Sequence, residues 1–190
     1  MPQQRKRCRR YNEPGEAHFL TFSCYRRRQF LSRQRTREWM IDAIDSCRTK
    51  HQIHLWAYVL MPEHVHLLFW PTRGDYSIGR ILSALKQPVS KRALLFIKRH
   101  APAFLPQMEE QRLDGTVRHH FWQRGGGYDR NLTEPTAIWS KIDYIHANPV
   151  RRGLCERAMD WRWSSAGEHE TPGSGPLAID RESLPRTADG

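Results

Sequence analysis

Two histidines, His64 and His66, flank Val65 in the run Tyr58-Val59-Leu60-Met61-Pro62-Glu63-His64-Val65-His66-Leu67-Leu68-Phe69. Apolar residues dominate that run and a Met-Pro-Glu break divides it, so it reads as two short strands joined by a tight turn. Alternate residues of a strand share a face. The two imidazoles therefore project side by side, while Val65 and Leu67 turn the other way into a core. Two neutral nitrogen ligands on one rigid strand are half of a metal site.

A second segment, Glu134 to Pro149, has the residues to complete it. At roughly 100° per residue, Ile138, Ile142 and Ile145 form a buried stripe. Ala137, Lys141, Tyr144 and Asn148 share the adjacent face, with Tyr144 and Asn148 one turn apart. Pro149 disfavours the α conformation at Asn148. The helix is expected to end there and leave the Asn side chain freer to reach outward. His146 lies well around the cylinder from Tyr144 and does not join this set. A phenol has a pKa of about 10, so roughly one part in a thousand is phenolate at neutral pH. A nucleophilic Tyr144 therefore needs a nearby cation or metal ion, and Lys141 is a candidate.

The elements that must position these groups follow from periodicity. Ala17 to Tyr25 reads as a first strand. A helix from about Ser32 to Lys50 carries Trp39, Met40, Ile44 and Cys47 at helical spacing. Ile53 to Leu60 and His64 to Trp70 are the next two strands. A second helix begins near Tyr76, and Pro88 is expected to break or kink it before a basic continuation to about Arg99. Residues 101–117 read as irregular. Phe121 to Asp129 reads as a fourth strand interrupted by a bend at Gly125-Gly126-Gly127. The order is strand, helix, strand, strand, helix, strand, then an extra helix. It specifies an α+β fold, a ferredoxin-like split βαβ sandwich with an antiparallel sheet and an appended C-terminal helix carrying the tyrosine. The 190 residues divide into a basic arm (1–16), one domain (17–165) and a flexible tail (166–190) rich in Gly, Pro, Ser, Glu and Thr.

The formal net charge is +11, which favours a polyanionic partner, nucleic acid first and an acidic membrane surface second. No stretch is long and apolar enough to span a bilayer, and Met1 to Arg10 lacks the apolar segment of a signal peptide. A cytoplasmic, nucleoid-associated address is expected. Arg26, Arg27, Arg28, Lys86, Lys91, Arg92, Arg124, Arg151 and Arg152 are candidate phosphate partners. Phe121, Trp122, Tyr128, Trp161 and Trp163 could stack on bases or pack in the core. Asp129 could orient a ligand or pair with an arginine. His119 and His120 diverge on an extended chain, which argues against a second metal site. Cys8, Cys24, Cys47 and Cys155 show no Cys-x-x-Cys pair and read as reduced, inert thiols.

The segments YVLMPEHVHLLFWP, HHFWQRGGGYDRNL, DYIHANPVRRGL and DWRWSSA together resemble the REP-associated tyrosine transposases, of the single-tyrosine class of HUH (His-hydrophobic-His) transposases. The matching blocks run from about Tyr11 to Ala166. The resemblance implies that His64 and His66 are metal ligands, Asn148 the third ligand, and Tyr144 the nucleophile. It implies Mg²⁺ or Mn²⁺. On the residues alone, two imidazoles and an amide oxygen suit Mn²⁺, Zn²⁺ or another transition metal at least as well as Mg²⁺. The activity implied is metal-dependent cleavage and strand transfer of single-stranded DNA through a covalent 5′-phosphotyrosine, on hairpin-bearing DNA. Within the family some members are monomers and others homodimers that swap the tyrosine helix. Two rival readings use the same residues. A non-catalytic single-stranded nucleic-acid-binding protein of ferredoxin-like fold accounts for charge and aromatics but leaves His-x-His and Tyr-x-x-x-Asn unexplained. A metallohydrolase that activates water would tolerate loss of Tyr144.

Overall fold

The computed structural model describes residues 11–125 and 127–186. Three apolar-rich segments and one polar one pair into one antiparallel sheet: β1 (Ala17–Ser23), β2 (Ile53–Leu60), β3 (His64–Pro71) and the polar β6 (Tyr128–Leu132), in the order β2-β3-β1-β6. Side-chain alternation then sorts the residues. Leu20, Phe22, Val65, Leu67 and Phe69 join one core with α1 (Gln34–His51) and α2 (Ile78–His100). Ala17, Phe19 and Leu68 join a second core with Ile138, Ile142 and Ile145 of α3 (Pro135–Arg151). The sheet is therefore sandwiched, with α3 alone near the two histidines. This is the expected α+β split sandwich with an appended helix. No helix among the described residues is long and apolar enough to cross a membrane.

Neither proline acts as a breaker. Pro88 lies inside α2. It is exposed, while Leu85, Val89 and Ala93 hold the core face. Pro149 is buried and extends the Ile138-Ile142-Ile145 stripe, and α3 runs on to Arg151. Apolar burial outweighs the missing hydrogen bond there. The fourth strand is Tyr128–Leu132 rather than Phe121–Asp129, because Trp122 forms only an isolated bridge with Cys24. Residues 101–117, expected to be irregular, include β4 (Glu109–Gln111), which forms a two-stranded ribbon with β5 (Val117–His119). Among the described residues Asp129 pairs with His18 and not with an arginine. Its Oδ1 lies 3.0 Å from Nδ1 of the fully buried His18, whose Nε2 is 2.7 Å from the Tyr76 hydroxyl.

The expected flexible tail is corrected over residues 166–186. β2 is an edge strand, and its free edge needs partners. Leu60 N donates to Trp163 O (2.8 Å), Ser165 N to Tyr58 O (2.9 Å) and Asp180 N to Leu55 O (2.8 Å). Leu55 N donates to Asp180 Oδ2 (2.7 Å) and Trp56 Nε1 to Ser183 Oγ (2.8 Å). α4 (Ala166–Glu170) lies within this cover. Residues 1–10 of the basic arm and Gly126 lie outside the described residues. Cys24 and Cys47 are buried and free, and burial pushes both thiols up to about 12, as inert thiols should be.

Gly127 links fold to site. Its φ is +70°, and a Cβ there would run into the Thr21 carbonyl oxygen. Gly127→Ala is expected to cost roughly 3 kcal/mol or more, since strain and a backbone clash add. Denaturant unfolding checks this; a midpoint equal to the parent's would show that β1 and β6 separate at no cost.

Candidate active site

β1, β3 and α3 converge on one cleft of about 520 Å³ whose lining includes His64, His66, Tyr144, Asn148 and Lys141. The strand places both imidazoles on the α3 side, with Nε2 of His64 3.0 Å from Nε2 of His66 and the rings crossed at 82°. The far nitrogens are held from behind. His64 Nδ1 donates to Glu63 Oε1 (3.1 Å), and Arg152 Nη1 donates to the same oxygen (2.8 Å). A carboxylate only accepts, so the proton sits on Nδ1 and the Nε2 lone pair faces the cleft. His66 Nδ1 lies 2.7 Å from Thr21 Oγ1, its cross-strand partner in the β1–β3 register.

Electrostatics favour neutral imidazoles. Burial, then the charges of His64 and Lys141, push His66 down to about 3, against a hydrogen bond from its ring to the Asn148 side chain. Burial also lowers His64, against Glu63. For Glu63, burial alone would raise the carboxyl, but Arg152 and His64 outweigh it and hold it below the ordinary range.

This geometry fits a divalent cation. Two nitrogens each about 2.1 Å from one ion, at about a right angle, stand about 3 Å apart, and the imidazole nitrogens meet that spacing. Among the described residues no group of three or more His, Cys, Asp or Glu is placed to hold a metal; a neutral oxygen is the candidate for a third protein ligand here. Asn148 qualifies, by a different route from the expected one. It stays within the helix, and its Nδ2 donates to Tyr144 O at 2.7 Å. That orientation leaves the carboxamide oxygen as the ligand-capable atom.

The Tyr144 ring stands 5.6 Å from His66, edge-on at 74°, and 5.9 Å from Phe19 at 89°. Lys141 Nζ lies 4.7 Å from the centre of the Tyr144 ring and 4.8 Å from that of Phe19. Burial, then Arg130, lowers the Lys141 ammonium. Arg151 Cζ sits 5.7 Å from the Tyr144 ring centre, a position reached only because α3 continues past Pro149.

The other candidate residues scatter. Arg27 and Arg152 reach the cleft. Arg26 lies over the Tyr25 ring at 5.0 Å, and Arg28 donates to Gln107 Oε1 at 3.0 Å. Lys86 Nζ donates to Gln123 O (3.1 Å) and Gly125 O (3.3 Å), holding the glycine bend. Arg92 pairs with Asp42 at 2.6 Å on the layer across the sheet, and Arg124 with Glu110 at 3.0 Å. Trp122 is not open to a base: it is buried against Phe22, and its Nε1 donates to Lys86 O at 2.9 Å. Tyr128 is the exposed aromatic at the cleft. His146 turns away to Ser165 Oγ (2.9 Å) and to His169.

Sequence reasoning missed Glu63 and Thr21. Glu63 was visible as the neighbour of His64, whereas Thr21 requires the β1–β3 register. Glu63→Gln is expected to weaken Mn²⁺ binding about 10–100-fold with the fold intact, which calorimetric titration checks. An unchanged affinity would mean that the carboxylate serves Arg152 alone.

Residues 14–147 match the family model described as "Transposase IS200 like". A Haemophilus influenzae protein with the provisional name REP-associated tyrosine transposase is 24% identical over 138 residues, covering 69% of this chain and 73% of its own. The REP-associated tyrosine transposase of Escherichia coli K12 is 24% identical over 160 residues, covering 83% and 80%. A solved structure of a REP-associated tyrosine transposase bound to a REP hairpin superposes with a TM-score of 0.65 at 22% identity, over 96% of this chain and 94% of that one.

Proposed function

The chain belongs to the IS200-like transposase family, and on that premise we propose that it cuts and rejoins single-stranded DNA through a covalent bond to Tyr144. The observation that carries this reading is the meeting of the phenol with the imidazole pair inside one chain, at 5.6 Å between ring centres. A site for binding alone needs no such pair behind a tyrosine. The substrate class is DNA with a hairpin, in keeping with the hairpin bound to the solved relative and with a net charge of +11.

In the forward step the Tyr144 oxygen attacks phosphorus in line. The P–O3′ bond breaks, the phenol proton passes to solvent, and the 3′ oxygen takes a proton from solvent as it leaves as a hydroxyl. A 5′-phosphotyrosine results. A second 3′-hydroxyl reverses the step on a new strand, and one phosphoester replaces another without outside energy. Lys141 and Arg151 bring positive charge to the Tyr144 ring, where a phosphate would meet it. Glu63 and Thr21 lock the imidazoles so that their Nε2 atoms stay aimed at the cleft. His64, His66 and Asn148 would hold Mg²⁺ or Mn²⁺, whose charge would polarise a phosphate oxygen and offset developing negative charge.

The test is incubation with a hairpin-bearing oligonucleotide and Mn²⁺ or Mg²⁺, followed by mass mapping of DNA-linked peptides. An adduct on Tyr144 is expected. Binding without an adduct would favour the non-catalytic reading, and metal-dependent turnover without one would favour a water-activating hydrolase.

A further inference from the structure

Two consecutive arginines, Arg26 and Arg27, both have φ of +53°. This left-handed region crowds Cβ against the carbonyl oxygen, and residues other than glycine seldom occupy it. The surroundings force the turn. Cys24 N donates to Glu63 O (2.8 Å), Tyr25 N to Phe121 O (2.9 Å), Arg27 N to Cys24 O (3.0 Å) and Arg28 N to Tyr25 O (3.1 Å). Arg26 N donates to Gln123 Oε1 at 3.0 Å. Every amide from 24 to 28 is thus anchored. Strain of this kind persists only where it is over-determined, and it gathers at functional sites.

The turn also separates three like charges. Arg26 is over Tyr25 and Arg28 on Gln107, while Arg27 alone of the three lines the cleft with His64 and Tyr144. The other guanidinium there, Arg152, is committed to Glu63. Arg27 lines the cleft and pairs with no carboxylate among the described residues. A guanidinium presents a planar fork that matches phosphate oxygens two at a time. Glycine at this position would relieve the backbone but supply no fork.

Resting on the DNA-cleaving reading of this cleft, we propose that the strained turn aims Arg27 at one phosphate, the one lying between the imidazole pair and Tyr144. Arg27 is the clamp for that phosphate, and Arg26 and Arg28 are not.

The experiment measures binding in the Tyr144→Phe chain with EDTA, so that no strand is cut and no metal contributes. The probes are hairpin oligonucleotides with a single-stranded flank, each carrying one neutral methylphosphonate in that flank. At one position, neutralisation is expected to weaken binding about tenfold. Adding Arg27→Gly removes that penalty and leaves the other positions unchanged. Adding Arg26→Gly, which relieves the same φ, keeps it. The melting midpoint of the Arg27→Gly chain stays level or rises. A penalty profile identical with and without Arg27 overturns the proposal. So does a fall in midpoint of more than about 4 °C, which would make Arg27 a structural residue. Adduct formation by the unsubstituted chain tests the cleavage reading separately. Its failure sinks that reading, whereas the coupling at one phosphate decides Arg27. No binding of any hairpin probe sinks both.

Discussion

Tyr144→Phe is expected to form no covalent DNA adduct and to lower strand cleavage by about ten-thousandfold or more. The change deletes one oxygen and little else. The Tyr144 hydroxyl makes no hydrogen bond among the described residues, and the ring packs edge-on against Phe19 and His66. Phenylalanine preserves those contacts, so stability should change by no more than about 0.5 kcal/mol. Hairpin binding should also persist, because the guanidinium and ammonium groups around the cleft remain. The signature is full binding, full stability and no chemistry. Residual cleavage near the parent rate would transfer the nucleophile's role to water, and an adduct on another residue would relocate the site.

The cleft was legible in sequence wherever the information is local. His64 and His66 share a face because a strand has period two. Ile138, Ile142 and Ile145 form a stripe because a helix has period near 3.6. Those periods place the phenol and the imidazoles on facing surfaces once the helix covers the sheet. What failed depended on pairing or burial across the chain. Thr21 backs His66 only through the β1–β3 register, which sequence spacing does not reveal. The two prolines misled because local rules weigh the missing N–H but not the compensating environment. Pro88 sits on the exposed side of α2, and Pro149 is itself buried. The tail misled because Gly, Pro and Ser composition says nothing about Asp180, whose carboxylate and amide both bond Leu55 on an otherwise open edge. Trp122 takes the core place that its sequence reading also offered, its indole donating to the Lys86 carbonyl, while the Lys86 ammonium donates to the carbonyls of the bend.

Removing the imidazoles one at a time should separate catalysis from architecture. Either His64→Ala or His66→Ala is expected to lower cleavage by about a thousandfold, the several kcal/mol that a cation supplies to a phosphoryl transition state. Both should also lose the stabilisation by Mn²⁺, which in the parent reaches about 2.7 kcal/mol at a hundred times Kd. Their stabilities without metal should differ. His64 is at the cleft rim, with a side chain 14% exposed, and its removal leaves Glu63 paired with Arg152. That loss should cost less than about 1 kcal/mol. His66 is 5% exposed and stacks on Phe19 at 5.4 Å. It also faces Thr21 Oγ1 at 2.7 Å and buttresses Tyr144. Its loss opens a cavity and strands a hydroxyl, for about 2–4 kcal/mol. Metal-free thermal unfolding of the two variants reads this difference directly. Equal destabilisation would mean that His64 is as much a part of the core as His66. Retained Mn²⁺ stabilisation in either variant would mean that the cation sits elsewhere, because one imidazole and one amide oxygen make too weak a set to hold it here.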